Sequence, residues 1–201
     1  MLSATEQVWR HLLVAAHEGR RRWPSLQALA GELDMGTSTV HGALRRPREI
    51  GAVVMRPGGG VSLIDPGALQ LAWGAGRRHF SKDIRRRFRV RMTAPEAERA
   101  LSAHPFILGG FGAAIAALGA NTIADYETVI AYGDTEGIFP GSPPGDGPGT
   151  CEIIICEPDP LLPRYGRVTP LCQAWADLFC LGGWQAGYFW HALLPEVVAS
   201  A

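Results

Sequence analysis

The chain has 201 residues, enough for one large or two small domains, and its hydrophobic fraction of 47% permits a sizeable core. The net charge is zero overall, but residues 1–91 carry 16 basic and 7 acidic side chains (+9), whereas residues 92–201 carry 3 and 12 (−9). This split predicts two modules, of which the first faces a polyanion. The longest apolar stretch, 171–194, contains Asp177 at mid-span, which argues against a membrane-spanning helix.

The N-terminal residues, MLSATEQVW, lack the apolar run behind a basic start that a signal peptide requires, so we expect a cytoplasmic protein. Its four cysteines are then expected to be reduced and buried. Their spacing differs from the close Cys-x-x-Cys pairs of zinc sites, so we predict neither a metal site nor a cofactor. The cysteines are Cys151, Cys156, Cys172 and Cys180.

The first predicted element is a capped helix. Ser3 and Glu6 have the spacing of a capping box, in which each side chain bonds the other residue's amide, and Gly19 is expected to end the helix. Three arginines follow at 20–22. A solvated loop and a clamp on a nucleic-acid backbone are equal interpretations of these arginines.

Residues 25–46 predict a helix-turn-helix. A short helix carries apolar side chains at the spacing i, i+3, i+4 and i+7 from Leu26 to Leu33, and Asp34-Met35-Gly36 interrupts it. A second helix opens at Thr37 or Ser38. In helix-turn-helix proteins the second helix enters the DNA major groove, where its N-terminal residues meet base edges.

The predicted DNA contacts lie on this second helix and after it. Candidates for contacts to bases are Thr37, Ser38, Thr39 and His41. Candidates for contacts to phosphates are Arg45, Arg46 and Arg48. For His41 a solvent-facing polar role is an equal interpretation. Pro47 lacks an amide proton and disfavours helical geometry before it, so we expect the helix to stop or kink at Arg46.

A glycine-tipped hairpin follows. Residues 53–56 and 61–64 have the character of short strands, and Gly58-Gly59-Gly60 can supply the positive φ angles of a tight turn. Arg56 would then lie near the tip and contact a phosphate or the minor groove. The order of three helices followed by a hairpin is that of a winged helix. The stretch LAGELDMGTSTVHGALRRPREIGAV resembles the corresponding part of winged-helix bacterial regulators.

Residues 67–91 are interpreted as a basic connector. ALQLAW at 68–73 is a short helix candidate. Phe88, Val90 and Met92 then alternate with arginines, which predicts a strand with one apolar and one basic face. We favour an edge strand protected by charge over an extension of the DNA footprint.

Residues 92–201 predict an α+β layer, with strands at 106–108, 128–131 and 152–156 among helices opening at 95, 111, 171 and 184. The segment PGSPPGDGPG at 140–149 is interpreted as a mobile loop. Thr169 is expected to cap the helix that follows Pro170. For Trp175, Trp184, Tyr188 and Trp190, core or dimer packing is favoured over a small-molecule pocket.

Three stretches, DPGALQLAW, LGGFGAAIAALGA and TPLCQAWADLFCLGGWQAG, resemble the AbiEi-type antitoxin regulators of bacterial type IV toxin–antitoxin systems. The resemblance implies a winged helix followed by an α+β domain, which in that family is thought to carry autoregulation or toxin neutralisation.

An enzymatic alternative is nucleotidyl transfer. Gly109-Gly110, a helix, and then Asp125-x-Glu127 before a strand follow the order of a superfamily in which a glycine turn holds a triphosphate and two carboxylates bind metals. The only candidates for a third carboxylate are Glu152 and Glu157. We therefore favour a degenerate, inactive version of that fold.

The sequence thus predicts an α+β protein with a winged-helix DNA-binding domain at 1–66, a connector at 67–91 and an acidic regulatory or dimerisation domain at 92–201. We expect a non-enzymatic transcriptional regulator that binds double-stranded DNA as a homodimer and, if it is an antitoxin, a cognate toxin. The alternatives are the nucleotidyltransferase and a pure protein-interaction module.

Overall fold

The computed structural model describes residues 1–77, 80–119, 124–134 and 149–198 and has an α+β fold. The chain divides into two compact units, Leu2–Arg77 with Leu194–Ala201, and Arg78–Leu193 with Met1. No helix among the described residues combines the length and hydropathy needed to cross a bilayer.

The N-terminal unit combines helices with a small antiparallel sheet. Its helices are α1 (Ala4–His17), α2 (Leu26–Glu32), α3 (Thr37–Ala43), α4 (Arg45–Glu49) and α5 (Pro66–Gly76). Its strands are β1 (Arg22–Trp23), β2 (Val53–Met55) and β3 (Val61–Leu63), in the order β1-β3-β2. Helix α5, predicted within the connector, therefore groups with this unit.

Helix α1 is the central support of the N-terminal unit. The predicted capping box is confirmed, because the Ser3 and Glu6 side chains each accept from the other residue's backbone amide. Gly19, at φ 82°, follows the end of the helix as expected. Val8 and Leu12 are fully buried, and α1 packs against α3 and α5. The position of α3 is thus fixed by a well-capped, well-packed helix.

The hairpin of β2 and β3 forms as the sequence predicts. Val53 pairs with Leu63 and Met55 with Val61, and Gly58 and Gly59 both have φ 85° at the turn. Residues with a Cβ avoid that region of backbone conformation, so the two glycines permit the tight return.

The second unit is built on a four-stranded mixed sheet. Its strands are β4 (Ile84–Val90), β5 (Ile107–Gly109), β6 (Thr128–Tyr132) and β7 (Cys151–Cys156), in the order β4-β7-β6-β5. The helices are α6 (Phe80–Asp83), α7 (Ala94–Ser102), α8 (Gly110–Ala117), α9 (Leu171–Leu181) and α10 (Gly183–Val198), of which the part up to Leu193 belongs to this unit, with a 3-10 helix at Leu162–Tyr165. Among the strands that the structure describes, β6 and β7 pair in parallel, whereas β4–β7 and β5–β6 are antiparallel.

Strand β4 is an edge strand, as favoured from its alternating pattern. Its arginines face glutamates of the same unit. Arg87 Nε lies 3.4 Å from Glu152, Arg89 Nη2 lies 3.9 Å from Glu127, and Arg85 pairs with Glu157. A charged, paired edge discourages the addition of another strand.

The core of the second unit is apolar apart from a few buried polar groups. Ile130, Ile154 and Leu162 belong to one buried cluster. The Tyr132 hydroxyl lies 2.9 Å from both carboxylate oxygens of Asp177, which is fully buried on α9 and so has the hydrogen-bonded structural role expected of it. Three of the four cysteines are buried and all four are free thiols; the exception, Cys180, is partly buried.

One prediction for the second unit is wrong, and another falls mostly on residues that the structure does not describe. Thr169 does not cap α9: Pro170 is the N-cap residue, and the Thr169 amide instead donates to the Leu108 carbonyl at 2.8 Å. Pairing with the end of β5 thus takes the threonine away from the helix. The predicted loop at 140–149 lies outside the described residues except for Gly149.

The tryptophans of the second unit have different environments. Trp175 is buried and stacks on Phe179 at a centroid distance of 4.9 Å, which is core packing. Trp184 and Tyr188 are exposed on α10, and Trp190 is partly buried.

Candidate nucleic-acid interface

A tight turn joins α2 to α3 and sets the direction of α3. The Met35 amide donates to the Ala30 carbonyl at 3.0 Å, and the Asp34 amide donates to the Gly31 carbonyl at 3.3 Å, the Schellman pattern of a helix C-terminus. Asp34 adopts φ 52°, which aspartate tolerates better than most residues. Gly36 then precedes α3 in an extended conformation.

The two sides of α3 differ in burial and in chemistry. Val40, Ala43 and the capping residue Leu44 are buried. The four residues predicted to contact bases are all exposed: Thr37, Ser38, Thr39 and His41. Three hydroxyls and an imidazole therefore form the outer surface of α3, where each can donate or accept a hydrogen bond.

The end of α3 differs from the prediction. The helix stops at Ala43 with Leu44 as its cap, and α4 begins at once, so the break lies two residues before the expected Arg46. Pro47 is buried inside α4 and cannot donate to the Ala43 carbonyl four residues earlier. The Trp9 indole donates to that carbonyl instead, at 2.8 Å.

The three predicted phosphate contacts lie on α4. Arg45, Arg46 and Arg48 are all exposed. Glu49, the last residue of α4, approaches Arg46 to 3.4 Å and Arg45 to 3.9 Å. A groove beside α4 is lined by both helix and strand residues: Arg45, Arg48, Glu49, Val53, Val54 and Met55.

Arg56 lies directly after β2, at the start of the glycine turn, and is exposed. Its Nε donates to the Ser62 hydroxyl at 2.6 Å, and Ser62 is itself buried in β3. The bond orients the guanidinium at the hairpin while the two Nη groups keep their donors for other acceptors.

The net charge of the unit is concentrated around α3 and the hairpin. Residues 37–62 contain four arginines and one glutamate, a net charge of +3. The remaining parts, 2–36 and 63–77, contain five basic and five acidic residues. The exposed side of α3 therefore lies in a region of excess positive charge.

Of the arginines at 20–22, Arg20 and Arg22 have different surroundings. Arg20 forms two hydrogen bonds of 2.7 Å with Glu32, which also lies 2.7 Å from His11 Nε2 and accepts from the Trp23 indole at 3.1 Å. The Arg20 hydrogen bonds lower the pKa of Glu32 to about 2, and burial lowers the pKa of His11. Arg20 is thus committed to a bond within the unit, whereas Arg22 is exposed on β1.

The residues of the nucleotidyltransferase alternative lie in the second unit. Asp125 and Glu127 are exposed and precede β6, which begins at Thr128. Gly109 and Gly110 form the turn from β5 to α8, and a Cβ on Gly109 would lie 2.8 Å from the Tyr132 ring. Among the described residues no group of three or more His, Cys, Asp or Glu side chains is arranged around a common metal position.

Four residues that hold side chains or helix ends of the N-terminal unit in place were not singled out in the sequence: Trp9, Glu32, Glu49 and Ser62. Only Glu49 had a local signal, because it stands three and four residues after two arginines, the spacing of helical ion pairs. The other three act across chain separations that no local pattern reveals.

Comparison of the chain with protein-family models, with curated proteins and with solved structures found no match.

Proposed function

We propose that residues 2–77 form a winged helix-turn-helix that binds duplex DNA, and that the chain is a sequence-specific transcriptional regulator. One observation carries the proposal. Helix α3 buries one side completely and exposes hydroxyl and imidazole groups on the other, within a segment, 37–62, that carries a net charge of +3. No residue is assigned a catalytic role.

The arrangement of the elements supports the winged-helix assignment. Helices α1, α2 and α3 precede the β2–β3 hairpin, and β1 joins the sheet beside β3. In this assignment α3 is the recognition helix and the glycine turn is the tip of the wing.

Each group then has a defined role in binding. The major groove is about 12 Å wide and admits a helix. Thr39 and His41 would contact base edges, where a hydroxyl and a neutral imidazole can each match a donor or an acceptor. Arg45, Arg46 and Arg48 would contact phosphates beside the groove, and Arg56 would contact a phosphate or the adjacent minor groove.

The test is a mobility shift with duplex fragments from upstream of the chain's own gene, using a matched pair of variants. Thr39→Glu places a carboxylate on the outer surface of α3, and Thr5→Glu places one in the first turn of α1; both positions are exposed and helical. A glutamate is tolerated in the first turn of a helix, so both variants should fold.

We expect Thr39→Glu to weaken duplex binding by about fivefold or more, because like charges in contact cost roughly 1–4 kcal/mol. Thr5→Glu should bind as the wild type does. Absence of wild-type binding at low salt, or an equal loss in both variants, would contradict the proposal.

We also propose a homodimer, because two recognition helices related by a two-fold axis read half-sites about 34–36 Å apart. The mass of the chain in solution, measured by light scattering, tests this part. The resemblance to AbiEi-type antitoxins adds the prediction that a toxin encoded next to this gene co-purifies with the chain through the second unit.

A further inference from the structure

Glu49 lies within ion-pair distance of two exposed arginines of α4. Its carboxylate lies 3.4 Å from Arg46 Nη1 and 3.9 Å from Arg45 Nε. The side chains of Arg45, Arg46 and Glu49 are 85%, 63% and 53% exposed, so none is fixed by burial. Arg48 forms no ion pair with any residue that the structure describes.

The residues that line the groove beside α4 determine how much the charge of Glu49 matters there. Glu49 is the only acidic residue among those lining the groove; the strand side, residues 53–55, contributes only apolar side chains. One carboxylate therefore offsets two of the three arginines that α4 offers to DNA.

We infer that Glu49 is an internal competitor for the DNA phosphates and sets how tightly the chain holds any duplex; this rests on the proposed function. A phosphate that binds Arg45 or Arg46 must compete with the Glu49 carboxylate for the same guanidinium charge. No base contact is involved, so Glu49 weakens binding to all sequences alike. Arg48 supplies the phosphate contact that Glu49 leaves unaffected.

The test compares Glu49→Gln with the wild type on a fluorescent duplex of mixed sequence, by anisotropy over a range of salt concentrations. Glutamine keeps the size of the side chain and removes the charge. We expect affinity to rise roughly twofold to thirtyfold at low salt, the range given by two exposed ion pairs. The slope of log affinity against log salt should steepen by up to about 0.9, equivalent to one more neutralised phosphate.

Two controls separate local competition from a change in overall charge. Glu18→Gln removes an exposed carboxylate at the end of α1 and should leave affinity close to that of the wild type. In a chain that carries Arg45→Gln and Arg46→Gln, the further change Glu49→Gln should have little effect, because the arginines that it held are gone.

The outcomes distinguish this inference from the proposed function. If the wild type does not bind duplex at low salt, the proposed function fails and the inference fails with it. If the wild type binds but Glu49→Gln and Glu18→Gln behave alike, only the inference is overturned. It is also overturned if the gain from Glu49→Gln persists when both arginines are glutamine.

Discussion

Three residues from different parts of the N-terminal unit, Trp9, Ala43 and Pro47, determine how one buried backbone carbonyl is hydrogen-bonded. Pro47 has no amide proton, so the buried Ala43 residue would keep a carbonyl without its helical donor. The Trp9 indole donates to that carbonyl at 2.8 Å. The same bond ties α1 to the junction of α3 and α4, and so helps to hold α3 in place.

Replacing Trp9 should reveal this dependence. We expect Trp9→Phe to lower the free energy of unfolding by roughly 1–3 kcal/mol, because a buried acceptor loses its donor. In a Pro47→Ala background the loss should be smaller, since the alanine introduced there has a backbone amide that can donate to the Ala43 carbonyl. Urea denaturation of the four chains measures the coupling. Strictly additive effects would show that the indole bond and the proline are independent.

Glu32 makes the stability of the N-terminal unit depend on pH in the acid range. Its pKa falls from 4.5 to about 2 when the chain folds, chiefly because Arg20 donates to its carboxylate. A carboxyl group with a lowered pKa stabilises the fold above its unfolded pKa, and this contribution disappears as the pH falls toward the folded value.

We therefore expect the wild type to lose stability relative to Glu32→Gln as the pH is lowered from about 5 to about 2. Unfolding midpoints of both chains across this range provide the measurement. If the two curves run parallel, the hydrogen bonds to Glu32 do not contribute to the acid dependence.

At the scale of the elements, glycine has opposite effects on the stability of α2 and of the β2–β3 hairpin. Gly31 lies inside α2, and a Cβ there would meet no atom within 4 Å. Gly58 forms the turn at φ 85°. A helical glycine weakens its element, whereas a left-handed glycine is what the turn requires.

The two alanine variants should shift stability in opposite directions. Gly31→Ala should stabilise the unit by roughly 1 kcal/mol, the difference in helix propensity. Gly58→Ala should destabilise it by about 1–2 kcal/mol, the cost of a left-handed residue with a Cβ. Chemical denaturation tests both, and a change of the same sign in the two variants would contradict the assignment of the turn.

Elements specified by neighbouring residues could be predicted from the sequence. The residues at which some helices begin or end could not. The capping box of α1 and the period-2 pattern of β4 depend on neighbouring residues, so the sequence revealed both. The end of α3 depends on Trp9, and the cap of α9 was misassigned because Thr169 pairs with Leu108. In each case a partner distant in sequence decided the outcome.

At the scale of the molecule, the net charges of the two compact units differ far less than those of the two halves of the sequence. Residues 2–77 carry a net charge of +3 and residues 78–193 a net charge of −2, in place of the +9 and −9 on either side of residue 91. The difference arises because the basic strand β4 belongs to the second unit, where its arginines pair with Glu127, Glu152 and Glu157. Sequence alone could not show which glutamates those arginines would meet.

Glu98 should make the stability of the second unit depend on pH in the opposite direction from the dependence that Glu32 gives the N-terminal unit. Burial raises the pKa of Glu98 on α7 to about 7, although the Tyr126 hydroxyl donates to it at 3.0 Å. A raised pKa favours the fold while the group is protonated, and this advantage disappears as the pH rises from 4.5 through about 7.

We expect the melting temperature of Glu98→Gln to gain on that of the wild type between pH 4.5 and about 7, and the gap then to stay constant. Glu96→Gln is the matched control on the same helix: the Thr93 amide lowers the pKa of Glu96, so its pH dependence should have the opposite sign. Calorimetry of the full chain measures both. A gap that does not change with pH would show that Glu98 ionises as freely in the folded chain as in the unfolded one.

The exposure of the predicted DNA contacts could be read from the sequence, and the bonds that hold them could not. All eight are exposed, and for the four on α3 the apolar pattern of the helix determines which side is buried. The bonds that hold Arg45, Arg46 and Arg56 come from Glu49 and Ser62, and only the first of these had a helical spacing to reveal it.

Selection of binding sites from a pool of random duplexes tests the central claim, that the outer side of α3 reads a DNA sequence, most directly. The wild type and a chain with Ser38→Ala, Thr39→Ala and His41→Ala are compared; alanine favours the helix, so α3 should persist. We expect the wild type to enrich one short motif and the triple variant to lose preference at its central positions while still binding DNA through its arginines. Enrichment of no motif by the wild type, or of the same motif by both chains, would contradict the claim.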